Sequence, residues 1–123
     1  MPPTPAPTAN KHHILVLSDD HNKRVVMMEH LHNKGYKSSG GFDLNIAVQI
    51  ICNEKLRPAP IDLVIVNAPN GHDVAEALYA RLIEINLMVV PVIVTLNERS
   101  YRIQRGSITS ISDINLKELA EVK

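Results

Sequence analysis

The 123-residue chain has 13 lysine and arginine residues against 13 aspartates and glutamates, and its formal net charge at pH 7 is zero. This balance excludes the strong basic excess that marks many nucleic-acid-binding domains, and the length predicts one domain. No apolar run approaches the roughly 20 residues of a membrane span. Cys52 is the single cysteine, which excludes an intrachain disulfide. The N-terminus lacks the basic-then-apolar order of a secretory signal, and we therefore expect a cytoplasmic protein.

Strands and helices are predicted to alternate along the chain. Residues 1–10 (MPPTPAPTAN) predict a flexible proline-rich tail, and residues 11–123 predict a single domain. Strands are identified as short apolar runs, and helices by apolar residues three and four apart. In chain order the sequence predicts strand HHILVLS (12–18), helix KRVVMMEHLHNKG (23–35), weak edge strand YKSSGG (36–41), helix DLNIAVQIICNEKLR (43–57), strand DLVIVN (62–67), helix HDVAEALYARLIEIN (72–86), strand MVVPVIVTL (88–96), a fifth strand SITSIS (107–112) and a last helix in INLKELAEVK (114–123).

Each of the three longer helices has a predicted apolar face. Gly35 is a suitable C-terminal cap for the first helix, and Asp43 a natural N-cap for the second. The faces comprise Val25, Met28, Leu31 and His32 in the first helix, Leu44, Ala47, Val48 and Ile51 in the second, and Val74, Ala77, Leu78, Leu82 and Ile85 in the third.

Apolar strands alternating with amphipathic helices predict a parallel sheet covered on both faces. In this length, five such units give a flavodoxin-like, doubly wound, three-layer α/β/α sandwich. Its working site is expected at the carboxyl ends of the strands. That edge is predicted to hold Ser18, Asp19 and Asp20 after the first strand, Asn67 after the third, Thr95 after the fourth and Ser112 after the fifth.

Three segments, ILVLSDDHNKRVVMMEHLHNKGY, IDLVIVN and VPVIVTL, resemble in order and spacing the receiver domain of two-component response regulators. The likeness extends over residues 12–123. Receivers carry an acidic pair that holds Mg²⁺, a phosphoacceptor aspartate, a Thr or Ser hydroxyl and a lysine. The resemblance places the acidic pair at Ser18 and Asp19 or, shifted by one, at Asp19 and Asp20. It places the phosphoacceptor at Asn67 and the lysine at Ser112. The hydroxyl position falls on Thr95 or, in the other alignment, on Leu96.

An amide is not a phosphoryl nucleophile, and Asn67 therefore implies a degenerate receiver. The expected function is phosphorylation-independent protein–protein contact, with no enzymatic activity and no cofactor. The expected partner is a protein, an output domain of a longer regulator or a second copy of this chain, and neither nucleic acid nor membrane. Arginine and tyrosine often anchor protein interfaces. The candidate contact surface is Arg99, Tyr101, Arg102 and Arg105.

Several alternatives remain open on the sequence alone. Asn67 is also a suitable turn residue before Pro69 and Gly71. Asp19 and Asp20 can cap a helix without any metal, or bind Mg²⁺ weakly. The Asp19-x-His21 pattern is similar to the loop of cobalamin-binding domains of the same fold, although an arginine replaces the glycine of that loop.

Overall fold

The computed structural model describes residues 12–54, 61–86, 90–97, 100–106 and 114–121. The predicted N-terminal tail and the predicted strand at 107–112 lie outside these ranges. Within them, helices and strands alternate up to the fourth strand, where a hairpin follows. The elements are β1 His13–Leu17, α1 His21–Asn33, β2 Lys37–Gly41, α2 Leu44–Glu54, β3 Leu63–Val66, α3 Gly71–Glu84, β4 Val92–Asn97, β5 Ser100–Arg105 and α4 Leu116–Ala120.

The five strands form one sheet in the order β2-β1-β3-β4-β5. The first four strands of this order are parallel. β1 and β3 lie at the centre and are buried over their whole length, as expected for strands with helices on both faces. This is the doubly wound, flavodoxin-like strand order, and it confirms the predicted fold class.

A strand that the sequence did not predict follows β4 and lies at the edge of the sheet. β5 is formed by Ser100–Arg105, and it runs antiparallel to β4. Its residues are mostly exposed or half-buried, and such a strand has no continuous apolar run by which to recognise it. An antiparallel strand tolerates this mixture because one side of it can face water.

The core consists of two layers, one on each face of the sheet. Ile14 and Val16 of β1 pack toward α1 and α4, whereas Leu15 and Leu17 pack toward α2 and α3. The alternation of neighbouring side chains across a strand produces this division. The sheet therefore forms the middle of three layers, and its edges are where polar side chains can gather.

Helix α1 buries the predicted face only in part, because Leu31 is buried and Met28 packs against the core, whereas the other two predicted residues are exposed. Met27 and Leu31 are buried, whereas Val25 is 39% exposed and His32 is exposed. The helix has little contrast between its faces in sequence, and the contact with the sheet decides which residues are covered. Gly35, with φ 89°, follows the helix end as predicted.

Helix α2 buries Ala47, Val48 and Ile51, as predicted. Asp43 caps it as predicted, because its carboxylate accepts a hydrogen bond of 2.9 Å from the amide of Ile46. In α3 the buried positions are Gly71, Ala75, Leu78 and Leu82. Ala77 and Ile85, predicted for its apolar face, are exposed. No helix in the described ranges is long and apolar enough to cross a membrane.

Candidate functional site

The carboxyl ends of the three neighbouring strands β2, β1 and β3 are joined by backbone hydrogen bonds. The amide of Ser18 donates to the carbonyl of Gly41 (3.0 Å), and the amide of Asn67 donates to the carbonyl of Leu17 (2.9 Å). Leu17 pairs with Val66, so Ser18 and Asn67 are the next residues along β1 and β3. The sheet thus holds the backbone of Asn67 in place at the edge where doubly wound folds bind ligands.

A cleft of about 660 Å³ opens at this edge beside Asn67, and we call it the Asn67 cleft. Its walls come from the first turn of α1, the start of α3 and the strands β4 and β5. Among the described residues that line it there is no aspartate or glutamate. The polar side chains that line it include Lys23, Asn67, His72, Thr95, Arg102 and Gln104.

A hydrogen-bonded chain crosses one wall of the Asn67 cleft. His72 Nδ1 donates to Gln104 Oε1 (2.9 Å), and Gln104 Nε2 donates to Thr95 Oγ1 (3.3 Å). In this arrangement the Thr95 hydroxyl uses its oxygen as an acceptor and retains its own proton for a further partner. Thr95 is 8% exposed, and its hydroxyl is therefore held almost entirely within the protein.

A bulge in β5 allows two consecutive residues of this strand to contact α3. The register shifts between Ile93, which pairs with Arg105, and Val94, which pairs with Ile103. Gln104 is the extra residue, and a bulge of this kind re-aims the side chains around it. Gln104 and Arg105 consequently both contact α3, through His72 and Glu76 respectively.

Arg105 is engaged within the domain. Its guanidinium pairs with Glu76 and lies over the ring of Tyr79, with Cζ 4.4 Å from the centroid. The hydrogen bond from Arg105 lowers the pKa of the Glu76 carboxyl and raises the pKa of the guanidinium. Tyr101, by contrast, is 38% exposed, and Arg102 is exposed. Arg99 and Ser112 lie outside the described residues.

The acidic residues after β1 do not line the Asn67 cleft. Asp20 is the N-cap of α1, and its carboxylate accepts a hydrogen bond from the amide of Lys23 (3.1 Å). Asp19 is exposed and lines a second cleft of about 340 Å³, on the side of Phe42 and Asp43. Ser18 is buried, and its hydroxyl accepts from the amide of Asp20 (3.2 Å). These three residues therefore build the turn into α1.

The guanidinium of Arg24 contacts the backbone at the end of β1. Arg24 Nη1 donates to the carbonyl of Ser18 (2.8 Å), and Nη2 lies 3.1 Å from His21 Nδ1. The arginine stem passes over Gly40, where an added Cβ would be 3.1 Å from Arg24 Cδ. His21, the residue of the cobalamin-like pattern, thus accepts a hydrogen bond from Arg24.

In the part of the chain that the structure describes, no three His, Cys, Asp or Glu side chains are placed to hold a metal ion.

The structure brings together only part of the predicted site. Asn67, Thr95, Tyr101 and Arg102 line one cleft, whereas Ser18 and Asp19 line another. Sequence reasoning missed Lys23, His72 and Gln104. Lys23 and His72 follow the starts of two helices whose N-termini face the carboxyl edge, and that position was the available signal. No sequence signal identified Gln104, because the orientation of its side chain depends on the bulge in β5.

The chain is similar to a solved structure of the non-phosphorylated HemR receiver domain from Leptospira biflexa. The sequence identity is 18%, the alignment covers 91% of this chain and 96% of that chain, and the TM-score is 0.43. No family model matches the sequence, and no curated protein matches it. The strand order of the sheet defines a flavodoxin-like α/β domain independently of any relative.

Proposed function

We propose that this chain is a receiver-like signalling domain that accepts no phosphoryl group and acts through contact with another protein. The observation that carries the proposal is the charge of the Asn67 cleft. A receiver needs carboxylates around its acceptor to hold Mg²⁺, and the described residues that line this cleft include Lys23 and Arg102 but no aspartate or glutamate. Cations in that place repel a metal ion, and the amide of Asn67 offers no anionic oxygen for phosphoryl transfer.

The acidic residues near the site support the same proposal. Asp20 is committed to the helix cap, and Asp19 lies in the second cleft. Neither is among the described residues that line the Asn67 cleft, whereas a divalent cation requires several oxygen ligands at once. A domain without this chemistry signals by the surface it presents, and we assign it no enzymatic activity.

Intact-mass measurement tests the loss of phosphoryl chemistry. The protein is incubated with acetyl phosphate and Mg²⁺, next to a receiver domain of known phosphorylation as a positive control. We expect the control to gain the mass of a phosphoryl group and this chain to keep its mass. A covalent phosphoryl adduct on Asp19 or Asp20 would show that the acceptor has moved to the end of β1, and would overturn the proposal.

A further inference from the structure

We propose that the Asn67 cleft binds a small phosphorylated molecule without covalent bond formation, with its phosphate held by Lys23 and Arg102. The proposal goes beyond protein contact and does not depend on it, since a small ligand can bind whether or not a protein contacts Tyr101 and Arg102, which belong to both the cleft and the candidate contact surface. It rests on the charges of the cleft, on the hydrogen-bond donors along its walls and on its size.

The positive charges of the cleft are not compensated from within the described part of the protein. Neither Lys23 nor Arg102 forms an ion pair with a carboxylate there. Arg105 and Lys34 do form such pairs, with Glu76 and Glu118. Two unpaired cations on one concave surface attract an anion, and the planar guanidinium matches the geometry of phosphate oxygens.

The walls of the cleft supply neutral donors beside these cations. The Thr95 hydroxyl accepts from Gln104 and keeps its proton, and Asn67 adds an amide. Helix α3 starts at the cleft with Gly71 and His72, and the Asn70 side chain forms no capping hydrogen bond there. The positive end of this 14-residue helix therefore lies at the cleft, and Asp73 in its first turn offsets part of its field.

The size of the cleft selects the class of ligand. Its volume of about 660 Å³ lies in the range of about 300–1,000 Å³ that is typical of small-molecule sites. An inorganic phosphate would occupy only a fraction of this space. The ring of Tyr101 lines the same cleft and offers an apolar surface to the organic part of a ligand. A phosphorylated organic molecule fits all of these features.

Calorimetric titration with pyrophosphate at low ionic strength tests the site. We expect measurable binding, and we expect Lys23→Gln and Arg102→Gln each to weaken it by about tenfold, because each removes one charge-assisted contact. Lys117→Gln is the matched control, since it removes one positive charge from an exposed position on α4. Equal losses in all three variants would mean general electrostatic attraction only and would overturn the site, as would absence of binding to the unaltered chain.

A second pair of variants keeps the proposal testable if a cation variant fails to fold. Asn67→Asp places a carboxylate among the cations, and it should compete with the anion and weaken binding by about tenfold or more. Asn67→Ala removes one neutral donor without adding a negative charge, and it should weaken binding less than Asn67→Asp does. Citrate distinguishes the ligand class: if it binds as tightly as pyrophosphate, the assignment to phosphate is wrong. Noncovalent binding leaves the mass of the protein unchanged after dialysis, and the calorimetric result is therefore independent of the intact-mass measurement.

Discussion

Gly106, directly after β5, has a backbone that other residues rarely adopt. Its φ is 103°, and an added Cβ would lie 2.9 Å from the Cα of Val92. We expect Gly106→Ala to lower the free energy of unfolding by about 1–3 kcal/mol, through backbone strain and through the contact with β4. Urea denaturation measures this change.

Gly71→Ala is the matched control for this substitution. A Cβ on Gly71 would find its nearest neighbour, Thr95, at 3.6 Å, which is an ordinary contact distance. We expect its effect to remain below about 0.5 kcal/mol, as for most substitutions that create no strain. Equal losses in the two variants would show that the left-handed backbone at Gly106 is not what makes the position sensitive.

At the scale of elements, Glu118 connects the last helix to the first. Its carboxylate lies 3.2 Å from the ammonium of Lys34 and 3.3 Å from His30 Nε2, so that α4 is tied to the end of α1. The hydrogen bond with Lys34, together with the interaction with His30, lowers the pKa of the Glu118 carboxyl below its ordinary value of 4.5. Both Lys34 and Glu118 are partly exposed, and the contribution of the pair to stability is therefore small.

The lowered pKa predicts how this contribution depends on pH. The stabilisation is complete above about pH 4.5, the pKa of the unfolded chain, and it is lost as the pH falls through the lower pKa of the folded state. We expect Glu118→Gln to lower the melting temperature at pH 5, and we expect the difference from the unaltered chain to shrink at pH 3. Glu29→Gln, at an exposed position on α1, is the control. A difference that grows on acidification would contradict the assignment.

The elements also show how far sequence reasoning extends. β1 and β3 were predictable because strands buried on both faces are largely apolar, and both are short apolar runs. His13, at the start of β1, is a buried polar exception. The capping role of Asp43 was predictable because it depends only on local backbone amides. The buried face of α1 was predicted only in part. Leu31 is buried as expected, but Val25 is exposed although it is apolar like the buried Met27, and packing against the sheet decides between them.

The candidate site followed the same division. Asn67 and Thr95 were located because each lies on or directly after an apolar strand, and parallel strands bring such positions to one edge. The sequence predicted Tyr101 and Arg102 of β5 as part of a protein-contact surface, but not that they line the same cleft as Asn67. In an antiparallel strand it is the beginning, with Tyr101 and Arg102, that meets the carboxyl edge of β4. The predicted direction of the fifth strand would have placed its end there instead.

At the scale of the whole molecule, the exposed side of β5 is the surface that we expect a protein partner to contact. Tyr101 is 38% exposed beside Arg102. If the partner is a second copy of this chain, Tyr101→Ala should weaken self-association about tenfold or more in sedimentation equilibrium, as for an interface hot spot. The thermal stability should change little, because the residue is not part of the core.

Ile83→Ala is the matched control for this prediction. Ile83 is an exposed apolar residue on α3, and its truncation removes a comparable hydrophobic surface. We expect it to leave self-association unchanged. A chain that remains monomeric at all concentrations, or that associates equally well as Tyr101→Ala, would contradict a role of this surface in pairing two copies.

The antiparallel pairing of β4 and β5 also bears on the order in which the sheet forms. Asn97 and Ser100 pair across only two intervening residues, whereas the pairing of Ile14 with Leu63 has to close a long loop of chain. Loop-closure entropy grows with the length of the loop, and short hairpins form within about 1–10 μs. Refolding from denaturant can therefore close the wall that carries Tyr101 and Arg102 before the parallel strands have found their neighbours.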